Sequence, residues 1–383
     1  MKDHIIFDIC KNTLPILLIL SLAFMSQCNK ESSEDRKGMV MNETMQRLSG
    51  TSIAIDPAFQ FYKAKSWDGW AEEIRKFNFS AVHIIIVAPI SIAEQKKIVQ
   101  AFHGCGIACA LRIYPTTDFE AYERHPEWRQ KSLDGSSRHD WRVYLCPNAP
   151  GFTEHVCRRV RETVGSVPYD AIELAEPWFE VWGGPYENNP NRGKYACLCN
   201  NCSHLFKEKT GISPQDLLFN PQILKSSNSQ IYKSWQDFRV ETIIRFSARI
   251  YEAAQKARPG IKTIHMHLSD CTVEPEGARE YQAQDIDAAL KTLKPDILII
   301  EDAWQDWTKP NLKPEFVKAY AKAYVKRSRA IIPGLIIKAH ADIGSRKEMR
   351  RTYSWMKRFA AEARAGGFNS ACYYEFSIGD FTK

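Results

Sequence analysis

The sequence predicts an α/β fold, a (β/α)₈ barrel of the TIM type with no regular eighth helix. Three observations lead there. Eight short apolar runs follow one another from residue 51 onward, an amphipathic segment lies between each run and the next, and acids, histidines and aromatics gather at the same end of the runs. Apolar runs of this length, rich in Ile, Val and Leu, are how parallel strands covered on both faces read in sequence. Repeated strand–helix units in this number close into a barrel. The rival, an open doubly wound sheet, would want a glycine-rich phosphate loop after the first strand, and none is present.

The runs are 51–57, 81–89, 107–115, 170–178, 262–270, 296–304, 334–342 and 370–377. The predicted helices cover 66–78, 92–104, 151–165, 234–257, 285–293, 315–330 and 346–365, each with apolar spacings of three and four. Ser66 and Ser345 stand where helix N-caps are expected. The eighth run ends within a few residues of Lys383, which leaves no room for a helix after it. Two connections are long, the one after the third run and the one after the fourth, and long connections in a compact domain are usually functional.

The first 28 residues differ from the rest. An apolar stretch, Leu14–Phe24, follows a polar segment with a basic flank. It is too short to span a bilayer and suits the core of a signal peptide. Cys28 just after it resembles the lipid-modified cysteine of bacterial lipoproteins, although Gln27 stands where such sites prefer a small residue. The expected organisation is a signal peptide over 1–28, a polar tether over 29–49 and the barrel over 50–383. An exported protein, anchored to a membrane through Cys28 on the periplasmic side or the cell surface, is the expected location.

Composition is that of a globular protein, with 44% hydrophobic and 11% aromatic residues. The formal charge is +7, from 52 basic and 45 acidic residues. The excess is scattered over helix faces such as Lys347–Arg358, without a basic run interleaved with aromatics, so nucleic acid is not the expected partner. Ten Trp and 15 Tyr supply flat faces of the kind that stack on sugar rings. Most cysteines are single and sit in apolar surroundings, as at Cys109, Cys157 and Cys372, which reads as packing rather than a disulfide framework.

Function in such a barrel lies at the C-terminal ends of the strands. Asp56 ends the first run, Arg112 and Tyr114 the third, and Glu173, Glu176 and Trp178 lie on the fourth. His265, His267 and Asp270 end the fifth, Glu301, Asp302 and Trp304 the sixth, Lys338, His340 and Asp342 the seventh, Tyr374 and Glu375 the eighth. Cleaving a glycosidic bond needs one carboxyl group to protonate the leaving oxygen and a second as nucleophile or base. Glu176, with Trp178 beside it, suits the acid. Glu301, Asp302, Asp342 and Glu375 all qualify as its partner, and Glu301 is the expected choice. Trp178, Trp182 and Trp304 are the expected sugar platforms, with Asp56, Arg112, His267, His340, Asp342 and Glu375 as polar contacts to substrate. A metal-dependent hydrolase built on His265, His267, His340, Asp270 and Asp342 is the enzymatic rival, weakened because the first run carries no His-x-His pair. A barrel that binds carbohydrate without cleaving it is the rival from another class.

Four motifs occur in order: HPEWRQKSLDG (125–135), YLCPNAPGFTEHV (144–156), DAIELAEPW (170–178) and CLCNNCSHLFKEKTG (197–211). Together they resemble the glycoside-hydrolase barrels related to the family-42 β-galactosidases of glycosidase clan A. The resemblance implies a structural zinc held by Cys146, Cys197, Cys199 and Cys202. It implies that Glu176, ending the fourth strand, is the general acid/base. Two departures stand out: Ala175 replaces the Asn that precedes that glutamate in the family, and KAHADIG, which includes Asp342, lacks the family's seventh-strand Glu. Spacing alone favours a metal over mutual disulfides for Cys-x-Cys-x₂-Cys, with His204 as an alternative fourth ligand and a disulfide plus a spare thiol as the competing arrangement.

Overall fold

The computed structural model describes residues 43–132, 135, 137–139, 142–179, 196–213, 225, 227–268 and 275–382. The signal segment, Cys28, Trp182 and Asp270 lie outside the described residues. The chain divides into a unit over Met1–Arg47 and a second over Leu48–Lys383, and the second carries the barrel. No helix among the described residues is long and apolar enough to cross a membrane.

Eight parallel strands close into a barrel: β1 (Ser52–Ile55), β2 (Ala81–Ile85), β3 (Ala108–Ile113), β4 (Ala171–Leu174), β5 (Lys262–Leu268), β6 (Ile297–Glu301), β7 (Ile336–Asp342) and β8 (Ser370–Tyr374). Each pairs with its neighbours in chain order, and β8 returns to β1 with Ser52 opposite Cys372. The strands are almost wholly buried, their outer faces covered by the helix layer and their inner faces by one another.

The helices fall where the apolar spacing puts them, at Trp67–Arg75, Ile92–Gly104, Phe152–Ser166, Ser229–Ala257, Ile286–Leu293 and Tyr353–Ala365. Residues 317–331 form one further helical rod, interrupted by a π turn over Ala321–Val325. Ser66 caps its helix as expected, accepting from the backbone N–H of Gly69. Ser345 does not. The last helix starts at Tyr353 with Thr352 as its cap, and Ser345 turns toward Asp342 instead. Among the described residues after β8, a 3₁₀ turn, Phe376–Ile378, is the one helical element. There Phe376 and Phe381, 4.3 Å apart, pack with Phe77 over the side of the barrel that an eighth helix would cover.

The connection after β3 folds back as a small antiparallel ribbon, Arg138–His139 against Arg142–Val143. Its HPEW stretch stacks His125 on Trp128 at 3.7 Å, and Trp128 donates from Nε1 to the carbonyl of Pro150. Gly151 caps the next helix at φ 86, where a Cβ would meet the Trp128 ring at 3.4 Å.

Candidate active site

The barrel interior is charged midway along its axis. Ser52 on β1, His83 on β2, Arg112 on β3, Glu173 on β4, Lys338 on β7 and Cys372 on β8 are all buried there. His83 joins Glu173 at 2.5 Å through Nδ1 and Ser52 Oγ at 2.9 Å through Nε2. Arg112 pairs with the other oxygen of Glu173 at 2.9 Å and lies 3.5 Å from the Cys372 sulfur. Lys338 donates to Ser52 Oγ at 2.6 Å and to the carbonyl of Leu48 at 3.0 Å. Burial works against every charge in this layer, yet Arg112 and His83 hold the Glu173 carboxyl at about 2. His83, Arg112 and Lys338 likewise overcome burial and bring the Cys372 thiol down to about 5. Glu173 and Arg112 are therefore spent on each other, below the mouth.

Above this layer the strand ends form the mouth. Tyr374 ends β8, and burial pushes its phenol upward, reinforced by the carboxylates of Glu375, Asp342, Asp56 and Glu176. Acids at the ends of β1, β4, β7 and β8 thus all act on this one phenol. Glu176 has a left-handed backbone at φ 54, a conformation that ordinary residues adopt rarely and that concentrates at functional sites. Its carboxylate is gripped by Arg142, whose guanidinium sits among the rings of Tyr114 at 4.8 Å, Trp178 at 5.4 Å and Tyr144 at 5.9 Å. Trp178 is nearly buried against this cation, and its Nε1 has no partner among the described residues.

Asp342 accepts from the backbone N–H groups of Gly344 and Ser345 at 3.0 and 2.9 Å and from the Ser345 hydroxyl. Burial raises its carboxyl, and the neighbouring Asp302 raises it further. Asp302 takes His340 Nδ1 at 2.8 Å and the N–H of Asp342 at 3.2 Å, and burial raises it strongly. Glu301 ends β6 in register with Leu268, both buried. Glu375 is fully buried and accepts four hydrogen bonds, from the Tyr62 hydroxyl, the N–H of Asp56 at 3.1 Å, and the N–H and hydroxyl of Ser377. Asp56 itself holds the turn after β1 by accepting from Ala58 N–H, and burial raises its carboxyl. Trp304 opens a one-turn helix beyond β6 and is half-buried.

His267 departs from expectation. Its ring packs on Tyr324 of the rod over 317–331 at 5.4 Å, and neither nitrogen has a partner among the described residues. It faces the helix layer, not substrate. His265, two residues back on the same strand, shares that face, since alternate residues of a strand point the same way. Burial holds His265 down at about 4. Among the described residues, the groups of His, Cys, Asp and Glu close enough to share an ion are the four loop cysteines and His103 with Cys109 and Asp170, neither at the mouth. The metal-dependent hydrolase thus loses two of its histidines.

The loop cysteines meet. The sulfurs of Cys146, Cys197, Cys199 and Cys202 all lie within 4.8 Å of one another, with Cys146 at 3.4 Å from Cys202 and 3.6 Å from Cys199. No disulfide joins them. Four thiolates around zinc at about 2.3 Å stand about 3.8 Å apart, so the set fits the tetrahedral ion. Asn148 donates to Cys202 Sγ at 3.3 Å. Leu198 N–H reaches the carbonyl of Lys131 at 2.8 Å, which lays the cysteine loop alongside the connection after β3. Cys146 is fixed on that connection by its own N–H, bound to the carbonyl of Trp128 at 2.7 Å. The two long loops are tied together there. His204 is exposed and pairs with Glu208 at 3.2 Å, away from the thiols.

Sequence reasoning missed Arg142 and Tyr62. Both come from loops after strands, and only their type, a cation or phenol among aromatics, marked them in the sequence.

A closed parallel barrel with acids crowding its C-terminal mouth is the architecture that many glycoside hydrolases use. Neither a protein-family profile nor a curated protein sequence matches the chain. Solved structures do match by fold. The glycoside hydrolase domain of PgaB (BpsB) from Bordetella bronchiseptica superposes with a TM-score of 0.61 at 9% identity, covering 85% of this chain and 93% of that one. The family GH42 β-galactosidase Gan42B from G. stearothermophilus gives 0.58 at 13% identity, over 86% of this chain and 53% of that one. The α-L-fucosidase isoenzyme 2 of Paenibacillus thiaminolyticus gives 0.56 at 12%, over 85% and 46%. The chain thus spans about half the length of the latter two.

Proposed function

We propose that the protein is a glycosidase acting on an oligosaccharide or glycoside, with Glu176 as general acid/base and Asp342 as the second carboxylate. The observation that carries this is the placing of Glu176, held by Arg142 on a left-handed backbone, and Asp342 at the C-terminal ends of β4 and β7 of one closed barrel. The Glu375 carboxylate is committed to holding the first and eighth strand ends together, and the Asp56 carboxylate accepts from Ala58 N–H in the turn after β1. Glu176 and Asp342, from β4 and β7, are the pair of this reading for protonating a leaving oxygen and attacking or activating water at the sugar. Asp342 is preferred to Glu301 because it ends β7, the strand on which the resembled family carries its second carboxylate. Trp304 is the sugar platform of this reading, Trp178 instead backing Arg142 beside Glu176, and His340 is a polar contact beside Asp302.

Zinc belongs to the proposal as a structural ion held by Cys146, Cys197, Cys199 and Cys202, bracing the loops around the mouth. So does export with a lipid anchor at Cys28, supported by the apolar segment before it. A Cys28→Ser chain that still fractionates with membranes would sink the anchor.

The activity is tested on a panel of aryl glycosides. Wild type hydrolyses at least one of them, and Glu176→Gln and Asp342→Asn each lose roughly a hundredfold or more. Hydrolysis untouched by Glu176→Gln overturns the assignment. A wild-type protein that binds glycans and hydrolyses none is a carbohydrate-binding barrel.

A further inference from the structure

The first βα loop frames a second feature beside the mouth. A cleft of about 700 Å³ lies between that loop and the helix Ile92–Gly104, within the volume range of small-molecule sites. Tyr62 is common to both places: its hydroxyl supports Glu375 at the mouth, and its ring lines the cleft, stacked on Trp67 at 5.7 Å. Trp67 is half-buried, and its indole N–H donates to Glu94 at 2.6 Å, which fixes the ring as part of the wall. Lys63, Lys65 and Lys97 line the same cleft against Asp68 and Glu94. Glu94 is occupied by Trp67 and, at 3.6 Å, by Lys97. Lys63 is exposed and has no acidic partner among the described residues.

A second observation points outward from the loop. Phe59 and Phe61, 36% and 42% exposed, are two of the four exposed large apolar side chains among the described residues, and both stand on it. Aromatic faces beside the uncommitted ammonium of Lys63, with Lys65 paired to Glu73 and Lys97 to Glu94, suit a sugar chain that carries negative charge, since the rings pack on the pyranose and the cation meets an acidic group.

We infer that this cleft binds an acidic saccharide, one bearing carboxylate groups, as an extension of the chain whose reacting bond lies at the mouth. This rests on the glycosidase reading and names the class of its substrate. Lys63 meets a carboxylate of the sugar, and Trp67 and Tyr62 form the wall along which the chain leaves the mouth.

Isothermal titration of the full chain with tetragalacturonate and with uncharged cellotetraose tests it. The acidic tetrasaccharide binds more tightly than the neutral one, and raised salt weakens it. Lys63→Glu weakens it by roughly three- to tenfold while aryl monoglycoside turnover stays at the wild-type rate. Trp67→Ala weakens both saccharides, and if that variant unfolds, Lys63→Glu, altered only at an exposed side chain, still decides. Equal affinity for the two saccharides, or an unchanged affinity in Lys63→Glu, overturns the inference. Binding is read without turnover, so a glycosidase assignment lost through Glu176→Gln leaves the outcome at the cleft independent of it.

Discussion

Arg112 and Glu173 form an ion pair of 2.9 Å sealed inside the barrel, joining β3 to β4. Both carboxylate oxygens of Glu173 are engaged, since the one not facing Arg112 takes His83. Such a pair is costly to break from one side, because the remaining charge is left buried without a partner. Glu173→Gln is expected to lower unfolding free energy by about 3–5 kcal/mol. Denaturant unfolding measures this. A Glu173→Gln protein of wild-type stability that has lost hydrolysis would instead make Glu173 part of the chemistry.

The choice between Asp342 and Glu301 is open to a direct comparison. Asp342→Asn is expected to reduce turnover of an activated aryl glycoside by roughly 10²–10⁴ with little change in melting temperature. Glu301→Gln is expected to retain most of its turnover, since it ends β6 and the proposed pair stands on β4 and β7. The reverse ranking returns the role to Glu301.

The barrel was legible because strands covered on both faces read as apolar runs, and the helices between them keep one apolar stripe. The same double burial hid which way each strand residue points. In Lys262–Leu268 the polar Thr263, His265 and His267 alternate with Ile264, Met266 and Leu268, but burial on both faces does not say which set points inward, and His267 reads as a mouth residue although it packs on Tyr324. Ser345 has the residue type of a cap, but Asp342 at the end of β7 competes for its hydroxyl and wins. The four cysteines could be grouped because a close sequence spacing limits three of them to one loop. Arg142 reaches Glu176 from another loop, and no local spacing encodes that contact.

The cysteine cluster predicts a measurable metal content. Protein purified without chelator is expected to carry close to one zinc per chain by elemental analysis, and Cys146→Ser to lose it with a drop in melting temperature. Asn148→Ala, which removes the donor to Cys202, is expected to weaken zinc retention against a chelator while leaving the ligands intact. Fully folded protein without metal, of unchanged stability, would rule the structural ion out.

Glu375 gives the protein a pH-dependent stability whose sign follows from its surroundings. Burial pushes its carboxyl from the ordinary 4.5 up to about 7, against the hydrogen bonds from Ser377, Tyr62 and the N–H of Asp56. Below the lower value the folded and unfolded chains both hold the proton. Between the two, the unfolded chain releases it and the folded chain keeps it, so this group's contribution falls as pH rises through the window and stays low above it. Glu375→Gln cannot ionise. The melting-temperature difference between wild type and Glu375→Gln is therefore expected to shift against wild type from the acid side of the window to the alkaline side. Tyr62→Phe removes one donor that steadies the carboxylate, so the same loss is expected to start at the same pH and to continue further up the scale. Thermal melts across the pH series check both. A difference that stays flat through the window would mean that the four donors, not burial, govern Glu375, and that it stands in the folded barrel as a carboxylate throughout.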